Sequence, residues 1–251
     1  MTLTNKDSYS IIFRGTSTVL IYKREEIYLM YSFESIEITG YDGKQIPNTY
    51  LKLKGFSDKT ALVLPGRGYT SQGPLLHYTI NLLLENRVSV LSVDYAYWNN
   101  QDFNSLEWED KQRWLYADVE EAYKAAVDQI DAEVRVLVGK SLGTLAIGHL
   151  LDTFSETRKC RVIWHTPLIK MPHLVTQITR HHPHSIFIIG TSDPHYDKEI
   201  LEQLKSATGG SLVVVDNANH SMEVPGGVID SLDVMNEIIE GVRQFMWPVD
   251  K

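Results

Sequence analysis

The sequence holds a single cysteine, Cys160, in 251 residues. A disulfide framework is thereby excluded, and a lone thiol suits a reducing compartment. Its place at the edge of an expected strand marks it as a near-core side chain rather than a nucleophile. No apolar run approaches the ~20 residues needed to span a bilayer, so no membrane partner is expected. Positive charge is also scarce. With 24 Lys and Arg against 32 Asp and Glu the formal charge is −8, which leaves no basic face for nucleic acid. Met1–Ser10 is polar and lacks the basic-then-apolar order of a secretory signal, so a cytoplasmic location is expected. No repeat, low-complexity tract or linker divides the chain, and residues 1–251 read as one domain large enough to bury a substantial core.

Two characters follow one another along that domain. The first part is β-rich, with short expected strands at Ser10–Arg14, Thr18–Tyr22, Ile27–Ser32 and Ser35–Thr39. Residues 1–33 are set apart as an extension, and Lys23-Arg24-Glu25-Glu26 reads as a charged turn. Tyr41-Asp42-Gly43-Lys44 is a hairpin turn, and Asn48–Leu53 the returning strand. Strands and helices then alternate. Strands are expected at Ala61–Leu64, Val88–Val93, Arg135–Val138, Arg161–Trp164, Ser185–Ile189 and Ser211–Val215. Helices are expected at Leu75–Asn86, Ser105–Ile130 (Asn104 and Glu107 as its capping box), Leu142–Phe154, Met171–Thr179, Lys198–Ser206 and Val228–Phe245. An antiparallel start followed by such alternation predicts an α/β fold: a mostly parallel central sheet with helices on both faces. In such sheets the loops leaving the carboxyl ends of the strands build the site.

Gly139-Lys140-Ser141-Leu142-Gly143 sits at such an end. A serine between two glycines at a strand-to-helix junction is pushed out on a tight turn, where a base can reach its hydroxyl. The same letters Gly-Lys-Ser close a phosphate-binding loop, but the glycine that loop needs five residues earlier is here Val134, inside the strand. Two further strand ends supply the partners a serine nucleophile needs. Ile189 runs into Gly190-Thr191-Ser192-Asp193-Pro194, and Val215 runs into Asp216-Asn217-Ala218-Asn219-His220-Ser221. Serine requires an imidazole to take its proton, and the imidazole requires a carboxylate to fix its tautomer. Ser141, Asp193 and His220 are therefore the candidate nucleophile, acid and base, with Asp197 and Asp216 as fallback acids. The oxyanion donors are expected to be the backbone N–H of Leu142 and that of Arg67, in the small-residue loop Pro65-Gly66-Arg67-Gly68-Tyr69.

On these residues the chain resembles the serine hydrolases of the α/β-hydrolase superfamily, in the small cap-less group with dienelactone-hydrolase-like proteins and carboxylesterases. The resemblance runs from about residue 34 to the end and implies the α/β-hydrolase fold. It departs in two places. Many relatives carry His-Gly where this chain has Pro65-Gly66, and dienelactone hydrolases proper use a cysteine where this chain has Ser141.

Between Trp164 and Ser185 only about twenty residues intervene, so 166–184 is expected to be a minimal lid. Tyr69, Tyr95, Tyr97, Trp98, Trp164 and His165 cluster where strands exit, and Tyr69, Tyr95, Trp98, Trp164 and His165 are candidate pocket walls. Arg67, Lys140 and His77 are candidates for placing positive charge near the nucleophile, or else are solvated side chains. His181-His182-Pro183-His184 looks metal-like, but Pro183 prevents a shared helical face, so neither metal nor organic cofactor is expected. The expected activity is cleavage of a carboxylic ester or thioester of a small molecule through an acyl-enzyme. A small serine peptidase and a non-catalytic binding or scaffold module of the same fold are the alternatives. Oligomeric state is not legible.

Overall fold

The structure is a computed structural model that describes residues 11–13, 18–21, 29–55 and 57–248. The charged turn expected at Lys23–Glu26 lies outside the described residues, as do Ser10, Arg14, Tyr22 and the first two residues of the strand expected at Ile27–Ser32.

Among the described residues ten strands form one sheet. In chain order they are β1 (Ile11–Phe13), β2 (Thr18–Ile21), β3 (Leu29–Glu34), β4 (Asn48–Leu53), β5 (Lys59–Leu64), β6 (Ser89–Val93), β7 (Glu133–Lys140), β8 (Arg161–His165), β9 (His184–Gly190) and β10 (Ser211–Val215). Their spatial order is β1-β2-β3-β4-β6-β5-β7-β8-β9-β10. The pairs from β1 to β4 and the β4–β6 pair are antiparallel, and every pair from β6 to β10 is parallel. The eight strands from β3 onward carry the helices, and β1 and β2 extend the antiparallel edge.

The parallel strands are apolar without alternation because helices cover both faces. Lys59–Leu64 is exposed only at its first residue, and Ser89–Val93 is buried throughout. One core lies between the sheet and four helices: α3 (Trp108–Gln129), α4 (Leu142–Thr153), α5 (Pro172–His181) and α6 (Lys198–Thr208). It contains Leu115, Val119, Leu145, Leu150, Leu174 and Leu201. The second core lies under α1 (Pro74–Glu85) and α7 (Val228–Met246), through Leu75, Leu83, Ile238 and Val242. Cys160 is buried as expected; its Sγ donates to the Val134 carbonyl at 3.3 Å, and burial pushes the thiol up to about 12. No described helix is long and apolar enough to cross a membrane.

Three local expectations are corrected. Ser35–Thr39 is not a strand: 35–38 is irregular, and a single bridge, Thr39 to Gln45, closes the turn at Tyr41–Gly43. Asn48–Leu53 pairs instead with β3 and β6. The long helix expected over Ser105–Ile130 is interrupted. A short α2 (Gln101–Ser105) precedes α3, and Leu106 and Glu107 between them are extended. The side chain of Asn100, not Asn104, caps α2 by accepting from the Phe103 N–H at 3.0 Å. Asn104 lies inside α2, where it donates to the carbonyls of Tyr97 and Trp98 and accepts from Arg67, and α3 starts instead from Glu107, which makes no side-chain cap bond. The segment 166–184 holds one helix, α5, whose Leu174 and Ile178 are fully buried against the first core. This is the short helix expected there, and it packs between α4 and α6.

Asp118 joins the irregular segment to the helical layer. It is buried on α3, where its Oδ1 accepts from the Tyr41 N–H at 2.7 Å and its Oδ2 from the Tyr97 hydroxyl at 2.6 Å. A Cβ on Gly40 would lie 2.2 Å from Oδ1, so glycine is required there. Burial raises the Asp118 carboxyl above its ordinary range, against the lowering effect of those bonds. Asp118→Ala strands a buried N–H and a buried hydroxyl, and is expected to destabilise the fold by about 2–4 kcal/mol, read from the urea unfolding midpoint.

Candidate active site

The carboxyl ends of β5, β7, β9 and β10 meet on one edge of the sheet, and close backbone approaches hold them together. Ser141 follows β7 directly and has φ 51° and ψ −114°, a conformation that strains any residue with a Cβ. Its N–H donates to the His165 carbonyl at 3.0 Å, which fastens the turn to the end of β8. The flanking glycines are dictated by space. A Cβ on Gly143 would lie 1.9 Å from the Leu64 carbonyl oxygen, and one on Gly139 2.8 Å from the Gly143 oxygen. A Cβ on Gly66 would lie 3.2 Å from that of Ser141, so the Pro65–Tyr69 loop runs beside the serine.

Asp193 and His220 come together by the same means. Gly190 at the end of β9 packs on Ala218 after β10, where a Cβ would meet the Ala218 oxygen at 2.0 Å. Ser192 N–H donates to the Ala218 carbonyl at 3.0 Å, and Asn217 N–H to Thr191 Oγ1 at 2.8 Å. Asn219 closes the second loop, its Oδ1 accepting from the N–H groups of Ser221 and Glu223. The result is a 2.7 Å hydrogen bond between His220 Nδ1 and Asp193 Oδ2. The Asp193 side chain is fully buried, and its other oxygen accepts from the His195 N–H at 2.8 Å. Burial pushes this carboxyl up, but the bonds from His220 and His195 outweigh it and hold the group below the ordinary carboxylate range. Asp197 is the N-cap of α6, accepting from the N–H groups of Glu199 and Ile200, which leaves Asp193 as the acid at the histidine.

Ser141 Oγ makes no hydrogen bond with any described residue. Neither the N–H of Leu142 nor that of Arg67 is engaged in a loop or capping bond among the described residues. Two backbone donors and one hydroxyl therefore stand free where the loop after β5 meets the start of α4.

The expected pocket walls divide. Tyr69 is half-buried beside Gly66, and its hydroxyl accepts from the Leu75 N–H at 2.9 Å. Trp98 is 59% exposed, and its backbone N–H donates to the Arg67 carbonyl, which places it beside the Pro65–Tyr69 loop. Trp164 and His165 are corrected. Both are wholly buried, because β8 lies between the two helical layers and neither face of it reaches solvent. Trp164 stacks on Phe187 and donates to Ser185 Oγ at 3.0 Å, while His165 Nε2 meets Thr79 Oγ1 at 3.0 Å. Tyr95 stacks on Tyr97 and borders a cleft of about 400 Å³ with Lys44, Trp114 and Asp118, which none of Ser141, Asp193 and His220 lines. Arg67 is exposed and bonded to Asn104, and His77 to Asn81; Lys140, in contrast, is buried. The three neighbouring histidines go to separate partners: His181 to Asp152, His182 to the Ala207 carbonyl and His184 against the Phe245 ring.

Sequence reasoning missed two residues. His195 supplies the N–H to Asp193, and its ring centre is 6.0 Å from that of His220. For Lys140, named above as a charge near the serine or a solvated side chain, what was missed is its burial: β7 is buried on both faces from Val136 to Lys140.

Solved structures share this geometry of strands. An esterase from Pyrococcus furiosus superposes with a TM-score of 0.60 at 17% identity, over 86% of this chain and 92% of its own. The chain has the α/β-hydrolase fold. A serine hydrolase without a lid from Xanthomonas campestris gives 0.59 at 14% identity, over 87% of this chain and 97% of that one. A dienelactone hydrolase from Anabaena variabilis gives 0.59 at 14%, over 85% and 98%. No protein-family model and no curated protein sequence matches the chain.

The strain at Ser141 has a measurable consequence in this fold. A glycine tolerates φ 51°, whereas an alanine does not. Ser141→Gly is expected to be more stable than Ser141→Ala by about 1 kcal/mol, read as a Tm about 2–4 °C higher. Equal melting temperatures would show that the turn carries no strain.

Proposed function

We propose that the protein is a serine hydrolase that cleaves a carboxylic ester or thioester of a small molecule through an acyl-enzyme. The observation that carries this reading is the 2.7 Å bond from His220 Nδ1 to the buried Asp193, on the same sheet edge at which β7 ends in a serine on a strained strand-to-helix turn. With Nδ1 committed to the carboxylate, the lone pair of the imidazole lies on Nε2, the nitrogen a general base uses. The names of the structural neighbours, esterases and hydrolases, support hydrolysis of an ester.

In this scheme Ser141 Oγ attacks the substrate carbonyl as His220 Nε2 takes its proton. The oxyanion is held by the N–H groups of Arg67 and Leu142. His220 then returns the proton to the leaving alcohol or thiol, and the acyl group stays on Ser141. Water, deprotonated by the same nitrogen, attacks the acyl-enzyme and releases the acid. Catalytic hydrogen bonds in free enzymes are commonly long and tighten on the bound substrate, which accords with the unbonded hydroxyl of Ser141. Asp193 stays ionised throughout: its lowered pKa favours the charged form that stabilises the imidazolium.

The test is labelling with a fluorophosphonate, located by peptide mass spectrometry, together with hydrolysis of p-nitrophenyl esters and acyl thioesters. One label on Ser141 is expected, abolished in Ser141→Ala and His220→Ala. Asp193→Asn is expected to lower kcat by about 10³–10⁴-fold, since the amide leaves the imidazole in the wrong tautomer. An unlabelled, folded protein would transfer the reading to a binding or scaffold module. Cleavage of peptide amides that is lost in Ser141→Ala would transfer it to a peptidase.

The same carboxylate gives a pH dependence of stability. A carboxyl depressed in the folded state contributes stability that is present above its unfolded pKa of about 4 and lost as pH falls through the lower folded value. Asp193→Asn removes this contribution, so its Tm should fall less steeply on acidification below about pH 4 than that of the wild type.

A further inference from the structure

The scheme above leaves Lys140 unused, although this lysine immediately precedes the nucleophile and is only 2% exposed. Burying an ammonium is unfavourable unless its protons find partners. Those partners are present. Nζ donates to the His220 carbonyl at 3.1 Å and to Thr166 Oγ1 at 3.2 Å, and lies 4.5 Å from the centre of the Tyr69 ring. Two hydrogen bonds and one aromatic face thus engage the three N–H groups. The elements joined are the end of β7, the residue after β8, the loop after β5 and the loop after β10. One of the contacts is to the main chain of the base itself.

We propose that Lys140 is a positioning residue for the base: its ammonium ties the main chain of His220 to the end of the strand that carries Ser141. The proposal rests on the serine-hydrolase reading. Asp193 and Lys140 then hold His220 from two directions. The carboxylate fixes the imidazole through Nδ1, and the ammonium fixes the backbone from which the imidazole projects. A side chain that only filled this space could equally be methionine, and would need no carbonyl in reach.

The charges around Lys140 support a protonated state that is close to its limit. Burial lowers its pKa to about 8, and Asp193, from the loop after β9, acts in the opposite direction. His165, its partner across β7 and β8, is neutral: burial and then the Lys140 charge lower its pKa to about 3. Glu223 acts on Tyr69, whose ring faces the ammonium, and His220 is the remaining titratable neighbour. Deprotonation leaves an amine with one N–H fewer and no charge on the His220 carbonyl, so the base loosens as pH rises through this value.

The experiment measures kcat and KM for p-nitrophenyl acetate and the rate of fluorophosphonate labelling from about pH 6 to 10. It compares the wild type, Lys140→Met and Thr166→Val. The wild type should lose activity above about pH 8. Lys140→Met should lower kcat by about 10- to 100-fold with KM little changed, and should show no such alkaline loss. Its Tm below pH 8 should equal or exceed that of the wild type, because a buried charge has been removed. Thr166→Val, which deprives the ammonium of one acceptor, should move the alkaline loss to lower pH. It decides the matter if Lys140→Met does not fold. Proton NMR of the His220 Nδ1–H bonded to Asp193 needs no turnover, and this resonance should broaden or vanish in Lys140→Met. A folded Lys140→Met with wild-type kcat, wild-type pH profile and an unaltered His220 resonance would overturn the proposal. A wild type that neither labels nor hydrolyses, with the His220 resonance still dependent on Lys140, would overturn the serine-hydrolase reading and leave the tie between the two loops in place.

Discussion

The site depends on how closely main chain can approach main chain at the carboxyl ends of β5 and β7. Gly143 rests against the Leu64 carbonyl with no room for a methyl group, and Gly139 is pressed in turn against Gly143. That contact forces the chain to turn within one residue, and the residue that absorbs the turn is Ser141, at φ 51°. A strained conformation of this kind costs of order 1–3 kcal/mol and persists only where its surroundings over-determine it. Here they do so through the Ser141 N–H on the His165 carbonyl, the two glycine contacts and the start of α4. The serine, half-buried, sits at this turn because the backbone beneath it has no other path. The same close approach leaves the N–H of Leu142 without a helical partner, since the first turn of any helix has unpaired donors.

Below the turn, polar groups are arranged in a water-poor layer in which each charge is assigned. Asp193 is anionic because two donors outweigh its burial, and Lys140 is cationic with Asp193 acting in its favour. His165, between Lys140 and Thr79, is neutral. One anion and one cation thus flank the loop that carries His220, the carboxylate at its imidazole and the ammonium at its main-chain carbonyl. The arrangement is asymmetric. The Asp193–His220 side is held by several hydrogen bonds, whereas the Ser141 hydroxyl is unbonded. In the proposed reaction, orientation is therefore built into the histidine and the serine is left free to meet a carbonyl carbon.

Much of this was legible in the sequence, and the failures share physical causes. The parallel strands were found because burial on both faces leaves short apolar runs between turn residues. The strand–turn–helix at Ser141, and the strand ends before Asp193 and His220, followed from the rule that strand carboxyl ends carry function. Ser35–Thr39 failed because β-branched and aromatic neighbours suggest a strand even where the chain finds only one bridging partner, Gln45. The helix over Ser105–Ile130 failed at its start, where Asn104 is taken up by contacts to Tyr97, Trp98 and Arg67 that no local pattern announces. Trp164 and His165 were misplaced because a position near a strand end gives no sign of which helical layer lies above it.

Lys140 is the more instructive case, because its charge left solvent open while it closes a strand that is buried on both faces from Val136 onward. When the two signals conflict, a charged residue in a buried register is informative. The cost of burying it has to be offset by specific partners, and such partners fix distances. At this position those distances run to the His220 carbonyl, Thr166 and Tyr69, three points on three separate segments. Structures related at 12–17% identity share the course of the chain with this protein. In this chain that course brings Ser141, His220 and Asp193 to one edge of the sheet, and alignment there is set at the scale of a single hydrogen bond. A misplacement of about 1 Å costs about two orders of magnitude in rate. Residues that touch no substrate but hold the chain beneath the base therefore belong to the chemistry as much as the base does.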